Sequence, residues 1–161
     1  MQYSASTARD AHLTCAVNLA FGFAAGFLSV LVFHQLTGAL YYLTGIGTNA
    51  PYNMQPIPPF NVPRVISLAF WGGVWGVVFA AIRPWLPRAA IAFLIAGFLF
   101  AIVGPIFYSW FVLAPMNGRP AAQGWQTGAM LRSIGINGMY GVGVATFLLL
   151  ADRLRGGGWA A

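Results

Sequence analysis

Few side chains in this sequence can do chemistry, and their spacing limits what that chemistry is. There are two histidines, His12 and His34, and two carboxylates, Asp10 and Asp152. His34 and Gln35 are adjacent within a long apolar stretch, and Tyr41 follows seven residues after His34. In a helix that spacing puts His34 and Tyr41 on nearly the same face. Polar groups in such a setting are candidates for holding a polar solute. The plainer expectation for His34 is a hydrogen bond to a neighbouring loop carbonyl. Arg64, Arg119 and Arg132 flank apolar stretches on one side of the chain. A guanidinium suits bidentate binding of carboxylate or phosphate, so a ring of three could attract an anion. The plainer expectation here is contact with lipid headgroups.

The same inventory excludes most catalysis. No Asp, Glu or Lys lies inside any long apolar stretch, so no carboxylate proton relay is visible. His34 has no carboxylate within reach in sequence, which leaves no nucleophile, base and acid set. His12 and His34 are 22 residues apart, about 33 Å along one helix, so they cannot ligate one haem iron from opposite faces. Cys15 is the single cysteine, which rules out an intrachain disulfide, a CxxC redox pair or a cysteine-rich metal site. We therefore expect no catalytic residue, metal or cofactor, whereas bound lipid is expected.

The elements that must carry these residues follow from hydropathy. Of the 161 residues, 59% are hydrophobic and only 6% charged, too few charges to cover a soluble domain. Four apolar stretches cover 13–33, 65–82, 89–113 and 133–151, each near the ~20 residues that cross a bilayer as a helix. The first continues through His34, Thr37 and Tyr41, so its helix extends toward 44 and ends at the Gly45–Gly47 stop. The reading is an all-α, polytopic membrane protein in one domain, 1–161, with four transmembrane helices. Pro105 should kink the third, and Asn18 and Asn137 should bond across helices. The loop 48–63 contains five prolines and is expected to be stiff and extended. The tail 156–161 is expected to be disordered.

All eight basic residues are Arg, and the net charge is +6. They scatter at helix ends without forming a stripe, which argues against a nucleic-acid partner. Five (Arg9, Arg83, Arg88, Arg153 and Arg155) fall on one side and three on the other, which predicts both termini in the cytoplasm of a bacterial inner membrane. Trp85, Trp110, Trp125 and Trp159 fall at helix ends, as an aromatic belt would.

Two patterns bear on assembly. Gly22/Gly26 and Gly72/Gly76 form GxxxG motifs, and Gly138 and Gly141 mark the fourth stretch. Small residues at this spacing let helix backbones approach closely, within the chain or against a partner. Four helices are not expected to turn every such face inward. The motif P-x-N-x-x-P occurs at 51–56 and again at 115–120, and Ala-Gly-Phe-Leu occurs at 25–28 and 96–99. The two halves therefore read as a duplicated helical hairpin.

The runs Phe33-His34-Gln35, Pro56-Ile57-Pro58-Pro59-Phe60-Asn61-Val62-Pro63 and Ser67-Leu68-Ala69-Phe70-Trp71-Gly72-Gly73-Val74-Trp75-Gly76 resemble an uncharacterised family of small four-helix proteobacterial inner-membrane proteins. The resemblance is strongest in the first half. It implies architecture and location and transfers no activity or site. The expected function is a non-catalytic accessory subunit of a larger membrane complex, respiratory or photosynthetic, with lipids and other membrane subunits as partners. The alternative is a homo-oligomeric channel or carrier for a polar or anionic solute.

Overall fold

The computed structural model describes the backbone of residues 2–156 and the side chains of residues 16–156. The expectations for the side chains of Arg9, Asp10, His12 and Cys15, for Trp159 and for the tail beyond Gly156 lie outside the described residues. Four helices are long and apolar enough to cross a membrane: Ala16–Leu43, Arg64–Trp85, Ala90–Met116 and Thr127–Leu154. The first is built from α1 (Gln2–Ser29), a π-helical turn (Val30–His34) and α2 (Gln35–Leu43). It reaches the extended limit read from the sequence, and Gly45 at φ +72° stops it. The second is α3 (Arg64–Ile82), which closes in a 3-10 turn at Arg83–Trp85.

The third long helix is regular only in α4 (Ala90–Ala101). It then passes through π turns at Ile102–Ile106 and Ser109–Leu113 before α5 (Ala114–Met116). Pro105 lies in the first of these turns, so the expected disturbance is absorbed as a wider helical turn. The fourth, α6, spans Thr127–Leu154 and begins well before 133. Gly128 and Arg132 lower its hydropathy without breaking the helix. The loop 44–63 is not simply extended. It folds back as an antiparallel pair, β1 (Pro56–Ile57) on β2 (Val62–Pro63).

Glycine sets the helix pairing. The Gly22/Gly26 face of α1 lies directly on the Gly72/Gly76 face of α3. A Cβ added at Gly26 would stand 2.9 Å from the Gly72 carbonyl carbon and 3.0 Å from Gly76 Cα. α4 and α6 meet the same way: a Cβ on Gly141 would stand 2.7 Å from the Gly97 carbonyl carbon. Gly26 and Gly97 are the glycines of the two Ala-Gly-Phe-Leu motifs, so the two hairpins close through equivalent positions. The fourth helix also packs along the first. The second and third meet through rings instead of backbones, Phe79 on Phe93 and Phe100, and Trp75 on Phe100 and Tyr108.

This packing leaves the bundle unequal at its two ends. Phe79, Phe93, Val144 and Leu148 are fully buried and fill the half nearer the Arg83–Trp85 turn, here called the hairpin end. Arg83 pairs with Asp152 there and lies over the Phe93 ring. The opposite end carries the loops 44–63 and 117–126 and is called the loop end.

Candidate functional site

At the loop end the bundle does not close. Between the first, second and fourth long helices and the two loops lies a cavity of about 540 Å³, within the size range of small-molecule sites. The first helix contributes His34, Gln35, Gly38 and Tyr41, the second Arg64, and the fourth Arg132, Ser133 and Asn137. The loop 44–63 supplies Thr48, Asn49 and Asn53, and Gln123 reaches in from the other loop. The structure thus gathers His34, Gln35, Tyr41, Arg64 and Arg132 around one space, although 30 residues separate His34 from Arg64. Arg119 is not among them. It is exposed in the turn after α5, so the ring of three arginines reduces to a pair.

The polar groups of the wall are unevenly satisfied. Gln35 is buried and its Oε1 accepts the Tyr52 backbone N–H at 2.7 Å. Tyr52 OH donates to the Leu31 carbonyl inside the first π turn at 2.8 Å. Together these bonds pin the loop 44–63 to the first helix and form one side of the cavity. Gln35, not His34, therefore takes the loop contact expected of the histidine. His34 Nδ1 is buried without a hydrogen-bond partner, a costly state unless something else supplies one. Asp152, the described carboxylate, is held by Arg83 at the hairpin end, so no acid faces Arg64 or Arg132 among the described residues. Gln123 sits at the cavity in a left-handed turn with Ala122, at φ 58° and 47°. Non-glycine residues pay about 1–2 kcal/mol each for that backbone, and strain of this kind gathers where position matters.

A second, apolar space of about 250 Å³ joins this wall deeper in the bundle. His34, Leu68 and Asn137 line both. Its own walls are Val30, Trp71, Trp75, Pro105, Tyr108, Ser109, Leu113 and Tyr140. All three π turns contribute a lining residue: Val30 and His34 from the first, Pro105 from the second, Ser109 and Leu113 from the third. Tyr140 is tied down beside it. Its hydroxyl donates to the Gly72 carbonyl at 2.7 Å, and its own carbonyl accepts from Ser29 Oγ at 2.6 Å.

Several sequence expectations change here. Trp110 is buried against Ile106 and Ala122, and its Nε1 donates to Ser133 Oγ at 3.2 Å, so it belongs to the core and not to a belt. Trp85 and Trp125 are exposed at opposite ends. Asn137 donates to Ser133 in its own helix, while Asn18 accepts from Arg155 at 3.0 Å across the bundle. The candidate partner glycines are occupied within the chain: Gly22, Gly26, Gly72 and Gly76 by each other's helices, Gly138 by the Phe98 ring, and Gly141 by α4. Ser133, Asn137 and Tyr140 were not singled out as a set. Their i, i+4, i+7 spacing on one face of α6 was a legible signal.

Among the described residues, no group of three or more His, Cys, Asp or Glu side chains comes together. No protein-family model, curated protein or solved structure matches the chain.

Proposed function

We propose that the chain is a four-span membrane protein that binds a polar or anionic solute at its loop end without catalysing a reaction on it, as a carrier does. Membrane insertion is supported by the outer surface of the bundle. Ile91, Ile95, Leu99, Val103 and Phe107 along the third helix are all more than half exposed, and a soluble protein does not leave a girdle of this kind open to water. The five-to-three arginine count supports an inner-membrane orientation with cytoplasmic termini. The matching glycines Gly26 and Gly97 support the duplicated hairpin.

The observation that carries the binding reading is the pair Arg64 and Arg132, unopposed by acid, on one cavity with the unpartnered His34 Nδ1. A bound carboxylate or phosphate would supply charge to the arginines, and either class has an oxygen or hydroxyl for the imidazole. The filled core around Phe79, Phe93 and Leu148 closes the hairpin end, so this geometry suits a site open on one side better than a continuous pore. The accessory-subunit reading drew on an open glycine face, and the occupied glycines withdraw that support. What remains for it is the exposed loop tips Met54, Phe60 and Met116.

The test is binding of small anions to protein in nanodiscs, followed by tryptophan emission and calorimetry with acetate, benzoate and inorganic phosphate. Saturable binding of at least one anion, lost in Arg64→Gln/Arg132→Gln, is expected. Absence of saturable binding by all three would overturn the reading.

A further inference from the structure

The polar cavity and the apolar slot share a wall, and that shared wall specifies a ligand more closely than either space alone. We infer that the site takes a single-chain amphiphile with an anionic headgroup, its head between Arg64 and Arg132 and its tail in the slot beside Trp71, Trp75 and Pro105. This rests on the reading of the loop-end cavity as a solute site and names the class of solute.

Charge comes first. The two arginines are the cations on the polar cavity, and no described acid opposes them. An ordinary cation or sugar has no reason to choose this end, whereas a carboxylate or phosphate monoester does. Polarity then changes within one molecule's length. His34 and Asn137 mark the boundary, lining both spaces. Beyond them the slot walls are aromatic and aliphatic, with Tyr108, Ser109 and Tyr140 adding the few polar atoms. A small hydrophilic anion leaves that slot empty, and water there finds few partners.

Size sets the tail. At about 250 Å³ the slot suits one medium-length alkyl chain better than two. The slot also has a side opening. Leu68 and Trp71 on the second helix and Tyr108 and Leu113 on the third are all partly exposed at its rim. Near the slot these two helices touch through the rings of Trp75, Phe100 and Tyr108, so the rim between them is side chain and not backbone. An amphiphile already in the bilayer can enter between them tail and all, with its head staying level with the arginines.

Two sources share this chemistry, a free fatty acid and a lysophospholipid with an anionic headgroup. The test uses a medium-chain fatty acid carrying a diazirine near its tail end, photolysed with the protein in nanodiscs and mapped by peptide mass spectrometry. Saturable labelling of Leu68, Trp71, Trp75 or Tyr108 is expected, reduced at least tenfold in Arg64→Gln/Arg132→Gln, which removes both charge-assisted contacts to the head. Competition by unlabelled decanoate but not decanol supports the carboxylate source. Competition by lauroyl-lysophosphatidylglycerol but not lauroyl-lysophosphatidylcholine supports the phospholipid source. Ser109→Phe, which fills the slot, should abolish slot labelling. Leu113→Trp at the exposed rim repeats the test where the first variant does not fold. Unsaturable labelling confined to Ile91, Ile95 and Val103 would overturn the inference, as would equal competition by decanol. Binding of acetate, benzoate and inorganic phosphate to the same sample separates the two failures: retained binding of any one with no slot labelling sinks the amphiphile alone, and absence of all three and of slot labelling sinks the solute site.

Discussion

Replacing Gly26 by alanine tests whether the first and second helices are held by backbone contact. The added methyl would stand 2.9 Å from the Gly72 carbonyl carbon and 3.0 Å from Gly76 Cα, against about 3.5–4.0 Å for carbon atoms at rest. Both neighbours are backbone, so no rotamer change relieves the clash. The helices must separate by about 0.5–1 Å, which forfeits a quarter to a half of the dispersion energy of each atom pair along the seam. Overpacking of this kind costs about 1–3 kcal/mol. Alanine also favours helix over glycine by about 1 kcal/mol, which would hide part of the loss. Gly38→Ala removes that ambiguity. Gly38 is also helical, and a Cβ there meets nothing within 4 Å. Both variants carry the same propensity gain, so their difference isolates the clash at about 1–3 kcal/mol. Reversible unfolding in mixed micelles, followed by far-ultraviolet circular dichroism, measures it. Equal unfolding free energies for the two variants would refute the close packing of α1 on α3.

Tyr140→Phe removes the hydroxyl that bonds the Gly72 carbonyl and should lower stability by about 0.6 kcal/mol, the average for hydrogen bonds between membrane helices, and by no more than about 1.7, in the same unfolding assay. Asp152→Asn should cost about 2 kcal/mol. The side chains of the Arg83–Asp152 pair are 13% and 14% exposed, so its loss falls between that of a surface pair and that of a buried one. Its effect should weaken little in high salt, which a salt titration of the unfolding midpoint reads directly.

The extent to which the fold is legible in the sequence depends on which force sets each feature. Lipid-length hydropathy marks each of the four helices, and its bounds fall short where polar residues sit in a continuing helix, as over residues 2–12 and at Arg132. The GxxxG spacing identifies which faces approach, but not what they approach, because a glycine face fits an internal helix and an external one equally well. His34, Gln35, Tyr41, Arg64 and Arg132 are readable as unusual polar residues in apolar surroundings. Their convergence depends on how the helices are rotated, and a single sequence does not display that. Arg119 shares their charge and their place near a helix end, and the turn after α5 carries it away from the cavity. The left-handed turn at Ala122–Gln123 is marked in the sequence by Gly124 alone, which shares it at φ 64°, since neither Ala nor Gln favours positive φ. Trp110 is ambiguous in the sequence because an indole near a helix end suits both a belt and a core, and the Ser133 hydroxyl decides between them.

The π turns carry the argument further, because two of the three have a local cause and one does not. Pro105 lacks an N–H and crowds the carbonyl four residues before it, which accounts for the turn at Ile102–Ile106. Pro115 crowds the carbonyl of Phe111 in the same way, inside Ser109–Leu113. The turn at Val30–His34 has no proline nearer than Pro51. Nothing in its sequence, Val-Leu-Val-Phe-His, requires a wider turn, and a straight helix would make better hydrogen bonds. What the turn does is local to the site: its Leu31 carbonyl receives Tyr52 from the loop, Val30 walls the slot, and His34 stands where the polar and apolar spaces meet. Packing alone is served by the close glycine seam just below it, where the same helix runs regular through Gly22 and Gly26. The first helix therefore changes its winding at the level where the packed core gives way to the two cavities.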